Sequence, residues 1–195
     1  GAILAALFES RVTIVATLIL GFVVLMAIAG EAIAPYGANQ INVVNQLQAP
    51  SLAHPFGTDE LGRDVMSRVM IAARASVVAS LVSVTLALLL GVSIGLAAGY
   101  YGGWTDTVGM RAVDVIFAFP VMLLAMAIVA MLGPGLVPAI LAIAIVYTPF
   151  FARITRASVL SVREETYIRA TRSIGASNLR IMRLHVLPNV MAPII

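Results

Sequence analysis

Three predominantly apolar stretches of this sequence carry no charged side chain, for 19 residues between Arg11 and Glu31, 31 between Arg74 and Asp106, and 38 between Asp114 and Arg153. A helix needs about 20 apolar residues to cross roughly 30 Å of hydrocarbon. In that medium every backbone polar group must be paired within the element. Runs of this length therefore dictate membrane-spanning helices. The remainder of the chain agrees: 61% of its residues are hydrophobic and 11% charged, against about 25% charged in a soluble domain.

The 38-residue run would be about 57 Å long as one helix, near twice the hydrocarbon thickness. It contains LGPGLVP, Leu132 to Pro138, where proline without an amide proton and two flanking glycines break a helix. The run is read as a tight hairpin. Four full spans follow, at 12–34, 76–99, 114–132 and 136–155, with a fifth beginning near Val186. The fold class is all-α, a polytopic membrane helix bundle.

Seven of the twelve basic residues lie between 153 and 183, and all twelve are arginine. Basic loops stay cytoplasmic, so this loop is expected inside. Four spans precede it, which puts the N-terminus inside too and the 35–75 segment outside. The first apolar run is of span length with no small-residue cleavage site after it, which argues against a cleaved signal peptide. Cysteine is absent and the two histidines, His54 and His185, are far apart in sequence. Disulfide, thiol and zinc chemistry therefore have little to work with.

The arginine-rich loop has its own pattern. Ser161 and Glu164 stand in the relation of a capping box, which predicts a helix from Val162. Gly175 suits the left-handed conformation that ends helices. Ser177 can cap a second short helix running to Leu187, ahead of Pro188. Tyr167, Thr171 and Ile174 share one side of the first helix. The bland reading, a loop that only obeys the charge rule, leaves this helix, elbow and helix unexplained.

In the outer segment, residues 57–74 read as an amphipathic surface helix opening near Thr58 or Asp59. Asp59–Arg63 and Asp64–Arg68 have the spacing of favourable helical pairs, with Leu61, Val65, Val69 and Met70 as the apolar side. Gly91, Gly95 and Gly99 form a stripe that lets another helix approach closely. The same region contains GVSIG, a hydrolase-like pattern that needs a strand, a turn and a histidine partner. A span supplies none of these. Pro120 and Pro149 should kink their spans. Asp106, Arg111 and Asp114 read as solvated, orienting charges at the inner end of the third span. Met122, Met126 and Met131 read as core packing, with a pore-lining stripe as the alternative.

Two segments resemble one family. YIRATRSIGASNLRIMRLHVLPN, Tyr167 to Asn189, is similar to the coupling loop of membrane subunits of bacterial ABC importers. That loop runs roughly E-A-A, three residues, G, nine residues, I-x-L-P. Ala170 and Gly175 match, nine residues separate Gly175 from His185, and Leu187 and Pro188 close the motif. Arg169 stands in place of the glutamate and Thr171 in place of the second alanine. HPFGTDELGRDVMSRVMIAARASV, His54 to Val77, resembles the hallmark of the C-type permease of dipeptide and oligopeptide importers.

The resemblance implies a type I ABC importer transmembrane fold. Residues 1–34 form the N-terminal segment and first span, and 35–75 the extracytoplasmic loop. Residues 76–195 form a transmembrane domain represented only in part, with a coupling loop at 156–188. It implies ATPase coupling through Glu165, Tyr167, Arg169, Ala170, Arg172, Ile174, Gly175, Ala176, His185, Leu187 and Pro188. It implies an extracytoplasmic motif of Gly57, Thr58, Asp59, Gly62, Arg63, Asp64, Ser67 and Arg68. The implied role is translocation rather than catalysis: uptake of di- or oligopeptides, or a related small solute, handed over by an extracytoplasmic binding protein. The other partners implied are a homologous second permease, two ATP-binding subunits and the bilayer of the bacterial inner membrane, with no nucleic acid. No cofactor belongs to this chain. ATP and magnesium lie on the partner subunits, since a P-loop needs a lysine and the sequence has none. The alternative is a carrier or channel working alone. Ion-coupled carriers place ionisable groups inside the membrane, and the expected span centres carry none. Co-purification with an ATPase separates the two readings.

Overall fold

The structure is a computed structural model that describes residues 11–194. It divides into two compact units, residues up to Ala79 and from Ser80 onward. Among the described residues the regular structure is helical, apart from an isolated antiparallel bridge between Thr58 and Asp64.

In the first unit, α1 (Arg11–Ile33) is apolar on all sides, with Leu18, Ile19, Leu20 and Phe22 exposed and Gly30 its only buried residue. A Cβ on Gly30 would lie 2.3 Å from the Met70 carbonyl oxygen, so here α1 touches the next helix backbone to backbone. Residues 34–64 are loop with one 3-10 turn at Val43–Asn45. The next helix, α2 (Val65–Tyr101), is 37 residues long and passes from the first unit into the second.

The anticipated surface helix and second span are thus one helix, because no glycine or proline interrupts the sequence from Val65 to Leu90. The surface helix also starts later than its charge spacing suggested. Gly57 and Gly62 take φ of 71° and 69°, which no right-handed helix accommodates.

In the second unit α2 ends at Tyr101, and α3 (Gly103–Phe117) occupies most of the interval between the expected spans 76–99 and 114–132. α3 and α4 (Val121–Leu132) meet at an 89° bend. The break falls at Ala118–Pro120, where Pro120 caps α4. The expected span at 114–132 is therefore bent near its start rather than straight. Gly133 and Gly135, at φ 89° and 153°, turn the chain into α5 (Leu136–Val162). α5 runs unbroken through buried Pro149 and seven residues past its expected end at 155. Among the described residues three helices, α1, α2 and α5, are long and apolar enough to cross a bilayer, or four spans if the bent pair counts as one.

The chain closes with α6 (Thr166–Ser173), α7 (Asn178–Ile181), a π-helical turn at Met182–Val186 and α8 (Leu187–Val190). Their core is Tyr100, Val159, Ile168, Ile181, Met182, Val186, Val190 and Ile194, all buried.

Candidate functional site

The glycine stripe lies against α5. A Cβ on Gly91 would sit 2.5 Å from Phe151 Cβ and 2.7 Å from the Thr148 carbonyl oxygen. On Gly95 it would be 2.4 Å from the Ala152 carbonyl oxygen, and on Gly99 2.8 Å from Val159. Ala87 and Ala152 are fully buried along the same line. Small side chains let the two helices approach to backbone contact, and dispersion rather than hydrophobic burial holds them in lipid. Ser93 is bound up with this helix, its hydroxyl donating to the Leu89 carbonyl at 2.7 Å.

Arginines fasten the far half of α5 to its neighbours. Arg156 donates to both Asp106 oxygens, at 2.5 and 2.6 Å, and Arg153 donates to Asp114 at 2.7 Å while its guanidinium stands 4.1 Å from the Phe117 ring centroid. Asp106 and Asp114 therefore clamp α3 to α5 rather than only meeting solvent. Bidentate arginine–carboxylate pairs are among the strongest polar contacts available. A third arginine, Arg163, donates to the Gly99 carbonyl at 2.7 Å, where a cation meets the negative end of the α2 dipole.

The elbow follows. Gly175 takes φ 85°, the left-handed conformation that glycine adopts without steric cost. Its amide reaches the Arg172 carbonyl at 3.0 Å, and the Ala176 amide reaches that of Thr171 at 3.3 Å. Ser177 caps α7, its hydroxyl accepting from the Arg180 amide at 3.4 Å. The capping box does not form. Ser161 belongs to α5, and α6 starts only at Thr166 behind Glu165, because two successive turns at 161–165 carry the chain off the end of α5. The buried anchor of α6 is Ile168, fully inaccessible, while Tyr167 and Ile174 face outward at 41% and 85% exposure. Leu179, at 72%, and Leu184 continue that outward apolar character with Arg169, Arg180 and Arg183 beside them. Ala170 and Arg172 lie on α6, and Leu187 and Pro188 on α8; the His185 carbonyl accepts from Asn189 at 2.6 Å.

The segment before α2, residues 42–64, is a knot rather than a helix. Asp59 accepts from the amides of Leu61 and Arg63 at 2.9 and 3.0 Å, and pairs with the guanidinium groups of Arg63 and Arg68 at 2.7 and 2.5 Å. Desolvation pushes the Asp59 carboxyl up, but those amides and the Arg63 guanidinium outweigh it and hold the group at about 2. Asp64 turns from Arg68 to other partners. It caps α2 through the Ser67 amide and hydroxyl at 2.7 and 2.6 Å, and meets the His54 ring at 3.0 Å. Burial raises the Asp64 carboxyl, and the Ser67 and His54 contacts more than reverse it. His54, Thr58, Asp64 and Ser67 are all buried, so Ser67 belongs to the interior of the knot. Thr58 bonds the Asn45 carbonyl and the Gln48 amide. A Cβ on Gly62 would fall 1.7 Å from the Asn42 carbonyl oxygen, and on Gly57 2.4 Å from that of Gln48. A cavity of about 230 Å³ remains, edged by Tyr36, Gln40, Asn42, Asn45, His54 and Asp64.

Met122, Met126 and Met131 are exposed, at 76%, 64% and 86%. They are not packed in a core of this chain; Met126 edges an apolar groove between α4 and α5 with Ala130, Ala139 and Ile143. Among the described residues no group of three His, Cys, Asp or Glu could hold a metal ion.

Residues 91–195 match the family described as binding-protein-dependent transport system inner membrane component, and residues 2–50 match the N-terminal transmembrane domain of oligopeptide transport permease C. The chain is 44% identical to the dipeptide transport system permease protein DppC of Alkalihalophilus pseudofirmus, over 96% of its own length and 62% of that protein. It is 43% identical to the glutathione transport system permease protein GsiD of Escherichia coli and of Shigella boydii, over the same shares. The chain thus spans 62% of the length of these relatives.

Proposed function

The chain belongs to the binding-protein-dependent transport system inner membrane components, in the dipeptide and oligopeptide permease branch, and from that premise we propose that it is the translocating subunit of an ATP-driven importer of short peptides. It is a multi-pass membrane protein. The relatives named for dipeptide and for glutathione carry molecules with a common core, a short peptide with free ends. A peptide of two or three residues is the substrate class this supports.

The observation that carries the reading is the elbow. It presents exposed Tyr167, Ile174 and Leu179 among arginines on a base anchored by fully buried Ile168 and Ile181. Exposed apolar residues on a rigid, charged projection suit a protein partner. The partner needed is an ATPase, because this sequence contains no lysine for a phosphate loop. The elbow and the N-terminus are assigned to the cytoplasm, in keeping with the seven arginines from 153 to 183. The knot is assigned to the outer face, as the receiver of a peptide-loaded binding protein. A homologous second permease completes the path. The exposed methionine side of α4 suits that contact or lipid.

The test is the transporter assembled with its partners in proteoliposomes, carrying Gly175→Val. A β-branched residue is poorly suited to positive φ, so the second arm should be misdirected. The protein should insert normally, take up labelled dipeptide poorly, and lose stimulation of ATP hydrolysis by loaded binding protein. Wild-type uptake and stimulation in this variant would remove the elbow from the mechanism. A cysteine at Leu52, which is fully exposed, should react with an impermeant reagent from outside; labelling only after lysis would reverse the topology.

A further inference from the structure

One side chain of α2 touches both arms of the elbow. The Tyr100 hydroxyl donates to the Asn178 side-chain oxygen at 3.0 Å, on α7, and accepts from the Arg172 guanidinium at 3.3 Å, on α6. The same guanidinium stands 5.5 Å from the Tyr100 ring centroid, within cation–π range. The ring itself is buried, 6% exposed, in the core formed with Ile168 of α6 and Ile181 of α7. One residue earlier, the Gly99 carbonyl holds Arg163 at the end of α5.

Gly175, which joins the arms, cannot fix their angle alone. It has no neighbour within 4 Å of a Cβ position, and an open glycine hinge leaves the angle to whatever the arms rest on. They rest on Tyr100. A buried phenol keeps its hydroxyl paired, and both partners here lie on different arms. Any change of the angle breaks one of the two bonds.

We propose that Tyr100 is the positioning residue of the elbow, holding α6 and α7 at one angle and binding both to the end of α2, so that a displacement of the elbow becomes a displacement of α2. The coupling consequence rests on the importer reading above; the geometric consequence does not. Arg172 and Asn178 are exposed, so water can satisfy both when the hydroxyl is removed. Tyr100→Phe keeps the ring and the core, and therefore leaves folding intact while releasing the angle.

The experiment uses the assembled transporter, with spin labels on cysteines at two exposed positions, Ser173 on α6 and Leu184 on the π-helical turn that continues α7. The wild type should give one narrow distance distribution. Tyr100→Phe should broaden it, and Asn178→Ala, which removes a single link, should broaden it less. ATPase subunits should co-purify in normal amount, while dipeptide taken up per ATP hydrolysed falls about fivefold or more, the factor that one lost net hydrogen bond carries. A mere loss of stability would lower uptake and hydrolysis together and leave their ratio unchanged. A narrow distribution in Tyr100→Phe overturns the proposal, and so does an unchanged ratio beside a coupled wild type. If the wild type shows no ATP-driven uptake, the importer reading fails instead, and the label distances still decide what Tyr100 holds.

Discussion

The knot at 42–68 and the elbow at 163–190 are both arginine-bearing, glycine-turned segments attached to α2, yet they handle charge and space in contrary ways. In the knot the charges meet one another: Asp59 takes Arg63 and Arg68, and Asp64 takes His54 and the cap of α2. In the elbow Arg180 and Arg183 have no ion pair among the described residues, and Arg169 reaches only exposed Glu164 at 2.9 Å. The glycines differ likewise. Gly62 is pressed against the Asn42 carbonyl, whereas Gly175 has open space around it. The knot thus satisfies its charges internally, whereas the elbow leaves Arg180 and Arg183 without an ion pair among the described residues, available to the partner proposed above.

The sharpest way to break the comparison is to put the same methyl group on both glycines. Gly62→Ala meets a main-chain oxygen at 1.7 Å as well as a strained φ, and should destabilise the knot by about 3 kcal/mol or more. Trypsin cleavage after Arg63 in the intact transporter reads this directly. Gly175→Ala faces the conformational cost alone, about 1–2 kcal/mol, and should leave trypsin sensitivity of the elbow near wild type. Equal effects at the two sites would erase the distinction between a packed and an open turn.

A smaller effect separates charges that are paired from charges that are not. Arg180→Gln with Arg183→Gln should alter thermal stability by no more than about 0.5 kcal/mol, as surface changes usually do. The same pair should weaken ATPase-subunit binding about tenfold at low salt and flatten its salt dependence. Unchanged affinity for the ATPase, with weaker binding to anionic vesicles, would assign these arginines to lipid phosphates.

The last contrast is one of pH and belongs to Asp59. Its carboxyl is lowered from the ordinary 3.8 to about 2, so its contribution is complete above pH 3.8 and is lost as pH falls toward 2. Pepsin, active across that window, should cut residues 42–64 increasingly below pH 3.8 in the wild type. Asp59→Asn should be cut just as readily above it. A wild type equally resistant at pH 2.5 and 4.5 would mean that Asp59 does not hold the knot.

Much of this molecule was legible because bilayer length and local stereochemistry act over short stretches. The hairpin at Gly133–Gly135, the left-handed Gly175 and the cap at Ser177 each depend on neighbours in sequence, and each appears where the residues indicate. The misreadings share one physical cause. Asp59 and Arg63 have helical spacing, but two glycines at positive φ and a web of loop hydrogen bonds override a pair worth a few tenths of a kcal/mol. Ser161 and Glu164 have capping-box spacing, but α5 continues through Val162 because its buried face, ending at Val159, is held against α2.

What the amino-acid sequence determined by itself is the class and the punctuation: runs too apolar and too long for water, breaks at proline and glycine, and arginines gathered near one loop. What only the tertiary structure decided is partnership. Arg156 and Asp106 are 50 residues apart, Arg172 and Tyr100 are 72, and Asn178 and Tyr100 are 78. No local pattern marks such pairs, because the free energy of a buried hydrogen bond depends on which helix faces arrive beside each other. That arrangement is set by the packing of α2 on α5, where the absence of three side chains, at Gly91, Gly95 and Gly99, brings two backbones into contact.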